Sequence, residues 1–487
     1  MRTSAARGPI VPDPSQQPSD LIAKVQAVLL GDKLLTVVVL MGITIGFFHG
    51  WLKFHYPSPV VTFLFDPFML TPLGLVYLRL GRQESLLPRG PIRNSLVAFY
   101  GLCAVFAFLP LGPPFLVSLA ALRGWCFASL MYPLGYHLTR AVAQVRAYFY
   151  VLIALGVITA VIGLRQSAEE VEARMRHDEV MSQRLLGTYY ATEAGKAQFR
   201  IFSTFVTAGA FGSVMAFVAL LALSLVTEPK VAKPEGLLLT AAIAPICYAM
   251  ILTGTRSALV MFGVGASVIA WHRRRLLTLL LVGLALYLAL HFGAKSTAGA
   301  STERFGSLLE SGIVSERVMM PVITAWNAFC DRPFGGGLGK TGYSVPFILY
   351  GRTGYTDFRL AEGDLPCLVV EMGLVGLLLF LRVLWAAARL VYEALNRPRD
   401  PAVDTVALGS AAIVTLAIIS FPVGSPFLGI PTGALTWFFV GTLHRLLATP
   451  TSPANAVDPP PPGPVKHFLH RRTPKALSSS TTTWRHS

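Results

Sequence analysis

The sequence predicts an all-α integral membrane protein with about twelve transmembrane helices. The first observation is composition: of 487 residues, 53% are hydrophobic and only 14% are charged, whereas soluble domains carry about 25% charged residues. The second is that the apolar residues occur in continuous runs of about 20 residues, the length that crosses a hydrocarbon core of roughly 30 Å. Continuous runs favour helices over the alternating strands of a membrane β-barrel.

Twelve apolar segments are predicted to span the membrane. They are residues 34–50, 58–78, 95–110, 114–136, 147–164, 204–226, 236–253, 256–271, 276–292, 366–388, 405–421 and 427–446. The chain therefore divides into a short N-terminal segment (1–33), a polytopic membrane domain (34–448) and a tail (449–487). The tail is rich in proline, basic residues, serine and threonine, a composition that predicts disorder.

The basic residues predict the orientation of the spans. Every second short loop is basic, and the residues concerned are Arg79, Arg82, Arg89, Arg93, Arg140, Arg146, Lys230, Lys233, Arg273, Arg274, Arg275, Arg389, Arg397 and Arg399. The intervening short loops contain only Lys53 and Arg256. Because short basic loops are retained in the cytoplasm, both termini are predicted to be cytoplasmic. The same distribution accounts for the net charge of +16, so nucleic acid is not an expected partner.

Two long loops fall on the predicted outer side of the membrane, at residues 165–203 and 293–365. Connections of this length are usually functional or disordered. The first is charged and helical in character, whereas the second contains Trp326, Pro333 and a GGGLG run, which indicate a folded segment. The five cysteines lack metal-binding spacing, and no metal site is predicted.

Arginines on the predicted outer side are candidates for binding an anion. Arg256 lies in the string TGTRSALV, within a tight connection where Gly254 permits a turn and neighbouring hydroxyls can donate hydrogen bonds. An arginine placed there, against the positive-inside bias, suggests an anion at the outer leaflet. Arg200, in FRIFSTF, is the second candidate, although an arginine at the end of a span can also simply reach the surface. Arg123, inside span four, either pairs within the bundle or contacts substrate.

Three carboxylates near span ten are candidates for catalysis. Glu362 and Asp364 stand in the string EGDLP at the predicted membrane surface. A carboxylate near an apolar surface has a raised proton affinity, which suits a general base acting on a substrate from outside. Glu371 lies about two turns into the span and needs a partner there. The alternative to a catalytic role for Glu371 is helix packing or the tethering of a loop.

Four strings in one order carry a family resemblance. They are FRIFSTF, TGTRSALV, SERVMMPVITAWNAFCDRPFGGGLG and EGDLPCLVVEMGLVGLLLF, which together cover residues 200–381. This pattern resembles the O-antigen ligase and polymerase family of bacterial envelope glycosyltransferases. Members have an arginine before a mid-chain span, a TG[ST]R turn, a long periplasmic loop and a closing ExGL helix start.

The resemblance implies a C-type glycosyltransferase-like bundle in the bacterial inner membrane with a periplasmic active site. The donor would be an oligosaccharide on undecaprenyl diphosphate, the acceptor a glycan, and the transfer metal-independent with no cofactor. Arg200 and Arg256 would bind the diphosphate in place of a metal. Glu362 and Asp364 would be catalytic, with Arg123 and Glu371 as further candidates. A chain-length regulator protein is a further candidate partner.

One departure from the family pattern affects the expected acceptor. Family ligases usually place a histidine, in a string like HNxYL, where EGDLP stands here. Counting back from ExGL puts Glu362 in that place, and no histidine lies nearby. This favours a polymerase, or a transferase to another acceptor with a carboxylate base, over a lipid A-core ligase.

Two other functional classes remain open from the sequence. One is a multi-spanning transporter or carrier of a small anion or lipid-linked glycan, and the other is a membrane scaffold without catalysis. Transporters of this size commonly show symmetry between their halves. Here the first half has no counterpart of the 293–365 loop. The arginines and carboxylates at one face count against a scaffold.

Overall fold

The computed structural model describes residues 32–56, 58–80, 85–109, 111–175, 190–193, 196–229, 231–274, 283, 319–341, 361, 363–397 and 399–448. Within these ranges the chain is almost entirely helical, with one two-stranded hairpin. The prediction of an all-α membrane protein is confirmed. The N-terminal segment and the tail lie almost wholly outside the described residues.

The described helices follow one another in the order of the predicted spans. They are α1 (Asp32–His55), α2 (Pro59–Phe63), α3 (Phe65–Leu80), α4 (Pro91–Phe108), α5 (Phe115–Phe127), α6 (Met131–Leu138), α7 (Val142–Arg165), α8 (Ala168–Met175), α9 (Ala208–Val226), α10 (Lys233–Leu252), α11 (Arg256–Arg273), α12 (Met320–Asp331), α13 (Asp364–Asn396), α14 (Pro401–Ser420) and α15 (Thr432–Ala448). A 3-10 turn, Ala128–Leu130, joins α5 to α6.

Nine of the twelve predicted spans have a counterpart among the described helices that is long and apolar enough to cross a membrane. The predicted span 256–271 is α11, whose terminal residues Arg256 and Arg273 lower its hydropathy. The predicted span 427–446 is α15, which has 17 residues and follows a cis Ile430–Pro431 bond. The span at 276–292 lies outside the described residues except for Gly283. The count of twelve therefore stays a prediction.

The predicted outer loop 165–203 contains more than helix. Its described part holds α8 and an antiparallel hairpin of β1 (Tyr190–Glu193) and β2 (Lys196–Phe199). In the register of the hairpin, Tyr190 pairs with Phe199 and Glu193 pairs with Lys196. The charged and helical character predicted for this loop applies to its first part only.

Helix α9 is the centre of the bundle. Of its most apolar stretch, 78% is buried inside the protein, compared with 28% for α10. It packs against α7, α10, α11 and α14. The sequence of α9 is rich in alanine, and small side chains allow the surrounding helices to approach closely in a lipid environment where the hydrophobic effect does not drive association.

Glycines on the neighbouring helices make three of these close approaches. A Cβ atom on Gly156 of α7 would lie 2.6 Å from Val218 Cγ1, and one on Gly265 of α11 would lie 2.4 Å from Leu220 Cδ1. On α14, a Cβ on Gly409 would lie 2.6 Å from the Ser224 hydroxyl oxygen. Three helices thus approach α9 so closely that a Cβ atom at these glycines would force a side chain of α9 to shift.

The basic loops meet at one end of the bundle, which we call the basic end. There Arg146 pairs with Glu228, with 2.8 Å between Nη2 and Oε2. Arg273 at the end of α11 pairs with Asp404 in the first turn of α14, with 2.8 Å between Nη1 and Oδ2. Arg397 after α13 donates to the main-chain oxygen of Leu447 at the end of α15 (2.8 Å). Carboxylates therefore neutralise part of the charge that the basic loops carry.

Candidate active site

Arg200 is docked onto the turn that joins α10 to α11. Its Nε donates to the main-chain oxygen of Thr253 at 2.8 Å, and its Nη2 donates to the hydroxyl of Thr255 at 3.0 Å. Gly254, between the two threonines, has φ +60°, a conformation that favours glycine. The Thr255 main-chain N–H donates to the Thr253 hydroxyl (3.1 Å), which stabilises the tight turn.

Arg256 is the first residue of α11 and directly follows Thr255, a hydrogen-bond partner of Arg200. Its side chain is half-buried, and that of the next residue, Ser257, is exposed. The first main-chain N–H groups of a helix have no partner within the helix and carry partial positive charge. The Arg200 guanidinium is thus bound to the turn at which α11 begins, with Arg256 as its first residue, and a helix N-terminus with arginine is suited to an anion.

Arg256 and Asp364 lie at the same end of the bundle. Helices α11 and α14 pack along each other, and the ion pair between Arg273 and Asp404 joins the end of α11 to the start of α14. The two helices are therefore antiparallel, so Arg256 lies near the level of Ser420 at the end of α14. Four residues later Gly424 accepts a hydrogen bond from the main-chain N–H of Asp364 (2.8 Å). We call this the arginine end.

Asp364 is the first residue of α13 rather than part of the preceding loop, because α13 begins two residues before the predicted span. Its carboxylate is completely buried, and Oδ2 accepts a hydrogen bond from the main-chain N–H of Phe427 at 2.8 Å. The side chain and main chain of Asp364 thus both bind the connection between α14 and α15. Glu362, the other predicted catalytic carboxylate, lies outside the described residues.

Glu371 is buried two turns into α13, as predicted, and both of its carboxylate oxygens are bound. Oε2 accepts from the indole Nε1 of Trp125 at 2.7 Å. Oε1 accepts from the hydroxyl of Thr341 at 2.5 Å and from its main-chain N–H at 3.3 Å. Glu371 therefore links α5 and the glycine-rich segment 335–341 to α13, which matches the loop-tethering alternative drawn from the sequence.

The glycine-rich segment 335–341 fills a break in α13. Gly373 has φ +62° and interrupts the helix, so the carbonyls before it lose their usual partners. The main-chain N–H groups of Gly336 and Gly337 donate to the oxygens of Val370 (2.8 Å) and Glu371 (3.1 Å). Leu374 N–H in turn donates to the Pro333 oxygen at 2.8 Å. The GGGLG run is thus required for main-chain contact with a broken helix.

Lys340 is a residue that the sequence reasoning missed. Its side chain is 3% exposed, and it directly precedes Thr341, which binds Glu371. A Cβ atom added to Gly336 would lie 3.2 Å from Lys340 Cγ and 3.6 Å from Arg332 Nη1. The segment therefore brings a buried lysine and an arginine close to Gly336. The sequence signal that could have indicated this lysine is the Lys-Thr pair directly after the GGGLG run.

Arg123 is paired within the bundle. Its Nε donates to Asp66 Oδ2 at 2.7 Å, and its Nη2 donates to Oδ1 of the same carboxylate. The guanidinium carbon also lies 5.0 Å from the ring centroid of Phe63 and 5.2 Å from that of Phe127. This geometry matches the pairing alternative drawn from the sequence rather than contact with substrate.

Part of this region matches a known protein family. Residues 239–381 match a family model described as O-antigen ligase. The chain carries an O-antigen ligase domain. The resemblance predicted from the sequence strings is confirmed. A search of curated proteins gives no match.

The O-antigen ligase domain contains the turn at Arg256, the glycine-rich segment and the first half of α13. Arg200 precedes the matched residues and joins them through its bonds to Thr253 and Thr255. The domain indicates glycosyltransferase-type activity with a lipid-linked glycan and an acceptor as substrates. With nine described helices apolar enough to cross a membrane, the O-antigen ligase domain belongs to a multi-pass membrane protein.

Proposed function

We propose that this protein is a polysaccharide polymerase or ligase of the bacterial envelope. It transfers a glycan from an undecaprenyl-diphosphate donor to an acceptor sugar hydroxyl on the periplasmic side of the inner membrane. The observation that carries the proposal is the docking of Arg200 on the Thr253–Thr255 turn next to Arg256. This places the arginines of the proposed diphosphate site within the O-antigen ligase domain or in contact with it.

In the proposed reaction the acceptor oxygen attacks the anomeric carbon of the donor sugar. The bond between that carbon and the phosphate oxygen breaks, and its electron pair leaves with the undecaprenyl diphosphate. Arg200 and Arg256 bind the diphosphate and stabilise the charge that develops as it departs, since guanidinium groups recognise phosphate bidentately. This electrostatic stabilisation takes the place of a divalent metal.

The proton of the acceptor hydroxyl goes to Glu362 in this proposal. Glu362 is two residues from Asp364, whose main chain and carboxylate are bound to Gly424 and Phe427. We assign to Asp364 the fixing of this segment at the arginine end. A carboxylate base in the position where family ligases have a histidine favours a polymerase, or a transferase to an acceptor other than lipid A-core.

The reaction can be tested with purified protein, a lipid-diphosphate-linked oligosaccharide and an acceptor glycan in the presence of EDTA. We expect longer glycan chains and free undecaprenyl diphosphate, because no step uses a metal. Arg256→Ala should lower the rate by about 10²–10³-fold, the usual cost of removing one donor to developing charge. Arg165→Ala is the matched control, because Arg165 ends α7 in an exposed position.

A carrier would give a different result in cells. Deletion of the gene for a transferase should lead to accumulation of undecaprenyl-linked oligosaccharide on the periplasmic leaflet. Accumulation on the cytoplasmic leaflet instead, with no transfer by the purified protein, would show that the chain moves lipid-linked glycan and would overturn the proposal. Full activity of Glu362→Gln, with normal protein abundance, would remove Glu362 from the mechanism.

A further inference from the structure

Most of the exposed surface of helix α12 is apolar. Ala325 and Ala328 are buried, on the side where α12 packs against α13. The apolar sector is exposed, and its members are Met319, Val322, Ile323 and Trp326. Asn327 and Asp331 lie beside this sector, and the exposed apolar side chain of Met320 projects between them.

The C-terminal end of α12 lies deeper in the bundle than the N-terminal end of α13. The Pro333 oxygen accepts a hydrogen bond from Leu374 N–H at 2.8 Å. Leu374 is ten residues after Asp364, where α13 begins, which corresponds to a depth of about 15 Å at 1.5 Å per residue. The thiol of Cys103, which lies inside α4, is 3.6 Å from the sulfur of the neighbouring Met372. The contact between α12 and α13 is therefore at the level of the hydrocarbon core.

The exposed apolar surface of α12 continues onto a membrane span. Phe334, just after α12, is 73% exposed. Its main chain touches Gly373, because a Cβ there would lie 2.5 Å from the Phe334 carbonyl carbon. The next residues of α13 that are exposed and apolar are Leu374, Val375 and Leu378. Since α13 is long and apolar enough to cross a membrane, these side chains face lipid, and the surface of α12 and Phe334 borders theirs.

We propose that α12 and Phe334 insert into the leaflet at the arginine end. The apolar sector and Phe334 contact lipid acyl chains. Exposed apolar surface of this extent marks an interaction site, and its continuity with the lipid-facing side of α13 identifies acyl chains as the partner.

Nitroxide spin labels in liposome-reconstituted protein provide the test. The exposed or partly exposed cysteines Cys330, Cys126 and Cys247 are replaced by serine, and a single label is introduced at Ile323→Cys or, as the matched control, at Ser257→Cys. Both positions are exposed and lie at the arginine end, but Ser257 is in the first turn of α11, outside the apolar sector. We expect the label at 323 to collide at least several-fold more with oxygen, which concentrates in lipid, relative to a water-soluble nickel chelate than the label at 257 does.

Equal accessibility of both positions to the nickel chelate would overturn the proposal, as would a label at 323 that neither reagent reaches. Should the labelled variants not fold, quenching of tryptophan fluorescence by brominated lipids gives a second measurement. The quenched signal should fall in Trp326→Phe relative to the native protein, and an unchanged signal would contradict insertion. Neither measurement depends on transfer activity, so their failure is distinguishable from failure of the proposed function.

Discussion

At the residue scale, the buried carboxylate of Glu371 shows how a charged residue is accommodated in an apolar span. Every hydrogen bond described for its side chain connects α13 to another element, either Trp125 of α5 or Thr341 of the glycine-rich segment. A carboxylate in this position acts first as a structural acceptor, since an unpaired buried charge is costly. Its described hydrogen bonds hold Thr341, the neighbour of Lys340.

We expect Glu371→Ala to destabilise the protein more than Glu371→Gln does. Alanine leaves the Trp125 indole N–H and the Thr341 donors without an acceptor, at about 1–3 kcal/mol for each unsatisfied group, whereas glutamine keeps one acceptor oxygen. The midpoint of thermal unfolding in detergent, monitored by size-exclusion chromatography, measures the difference in stability. Equal midpoints for the two variants would contradict a role based on accepting these hydrogen bonds.

The pair of Arg123 and Asp66 gives a second prediction at this scale. Their side chains are 23% and 17% exposed, so removing one partner leaves the other charged and poorly solvated. Arg123→Gln and Asp66→Asn should each lower the midpoint of thermal unfolding, and the double variant should lose less than the sum of the two. The same assay measures this cycle. Strict additivity would show that the two side chains do not interact.

At the element scale, the break in α13 is the feature that organises the site. We expect Gly373→Ala to displace the glycine-rich segment, because Gly373 has φ +62° and a Cβ there would lie 2.2 Å from the Pro333 oxygen. Transfer activity should fall, and so should the resistance of the glycine-rich segment to protease. Gly101→Ala in α4 is the control, since a Cβ there meets nothing within 4 Å and alanine favours the helix by about 0.5–1 kcal/mol.

Limited proteolysis and transfer activity, measured on both glycine variants at equal protein abundance, check this prediction. A Gly373→Ala variant that keeps native protease resistance and activity would show that the segment docks without the break. A loss of both properties in Gly101→Ala as well would show that α4 and α13 respond to any added methyl group.

The positions of the described helices could be predicted from the sequence because continuous apolar runs of about 20 residues mark them. The break at Gly373 could not, since the string VVEMGLVGL is compatible with an unbroken helix and the conformation of the glycine is set by contacts with Pro333 and Gly335. The docking of Arg200 joins residues 53 positions apart, and no local pattern encodes that distance. The sequence left two alternatives for Arg123, pairing within the bundle or contact with substrate. The position of Asp66 decides between them, and it is known only from the structure.

At the scale of the whole molecule, the described partners of the arginine side chains differ between the two ends of the bundle. Arginines of the basic end pair with carboxylates, as Arg146 does with Glu228 and Arg273 does with Asp404. At the arginine end, Arg200 instead binds a carbonyl and a hydroxyl. The described side-chain contacts of the arginines thus differ between the two ends.

The predicted orientation of the two ends can be measured with a membrane-impermeant maleimide. Ser257 lies beside Arg256, and Asn94 lies at the start of α4 near the basic end; both are exposed. In a Cys330→Ser background, we expect Ser257→Cys to be labelled in spheroplasts and Asn94→Cys to be labelled only after permeabilisation. The reverse pattern would place the arginine end in the cytoplasm.

The hydrogen bonds across the break in α13 also constrain the biogenesis of the protein. The carbonyls of Val370 and Glu371 have as partners Gly336 and Gly337, which leave the ribosome more than 30 residues earlier by their place in the chain. The first turns of α13 would enter the bilayer with these carbonyls unsatisfied, at several kcal/mol for each group. Stable insertion of this helix therefore requires the preceding glycine-rich segment to have reached it.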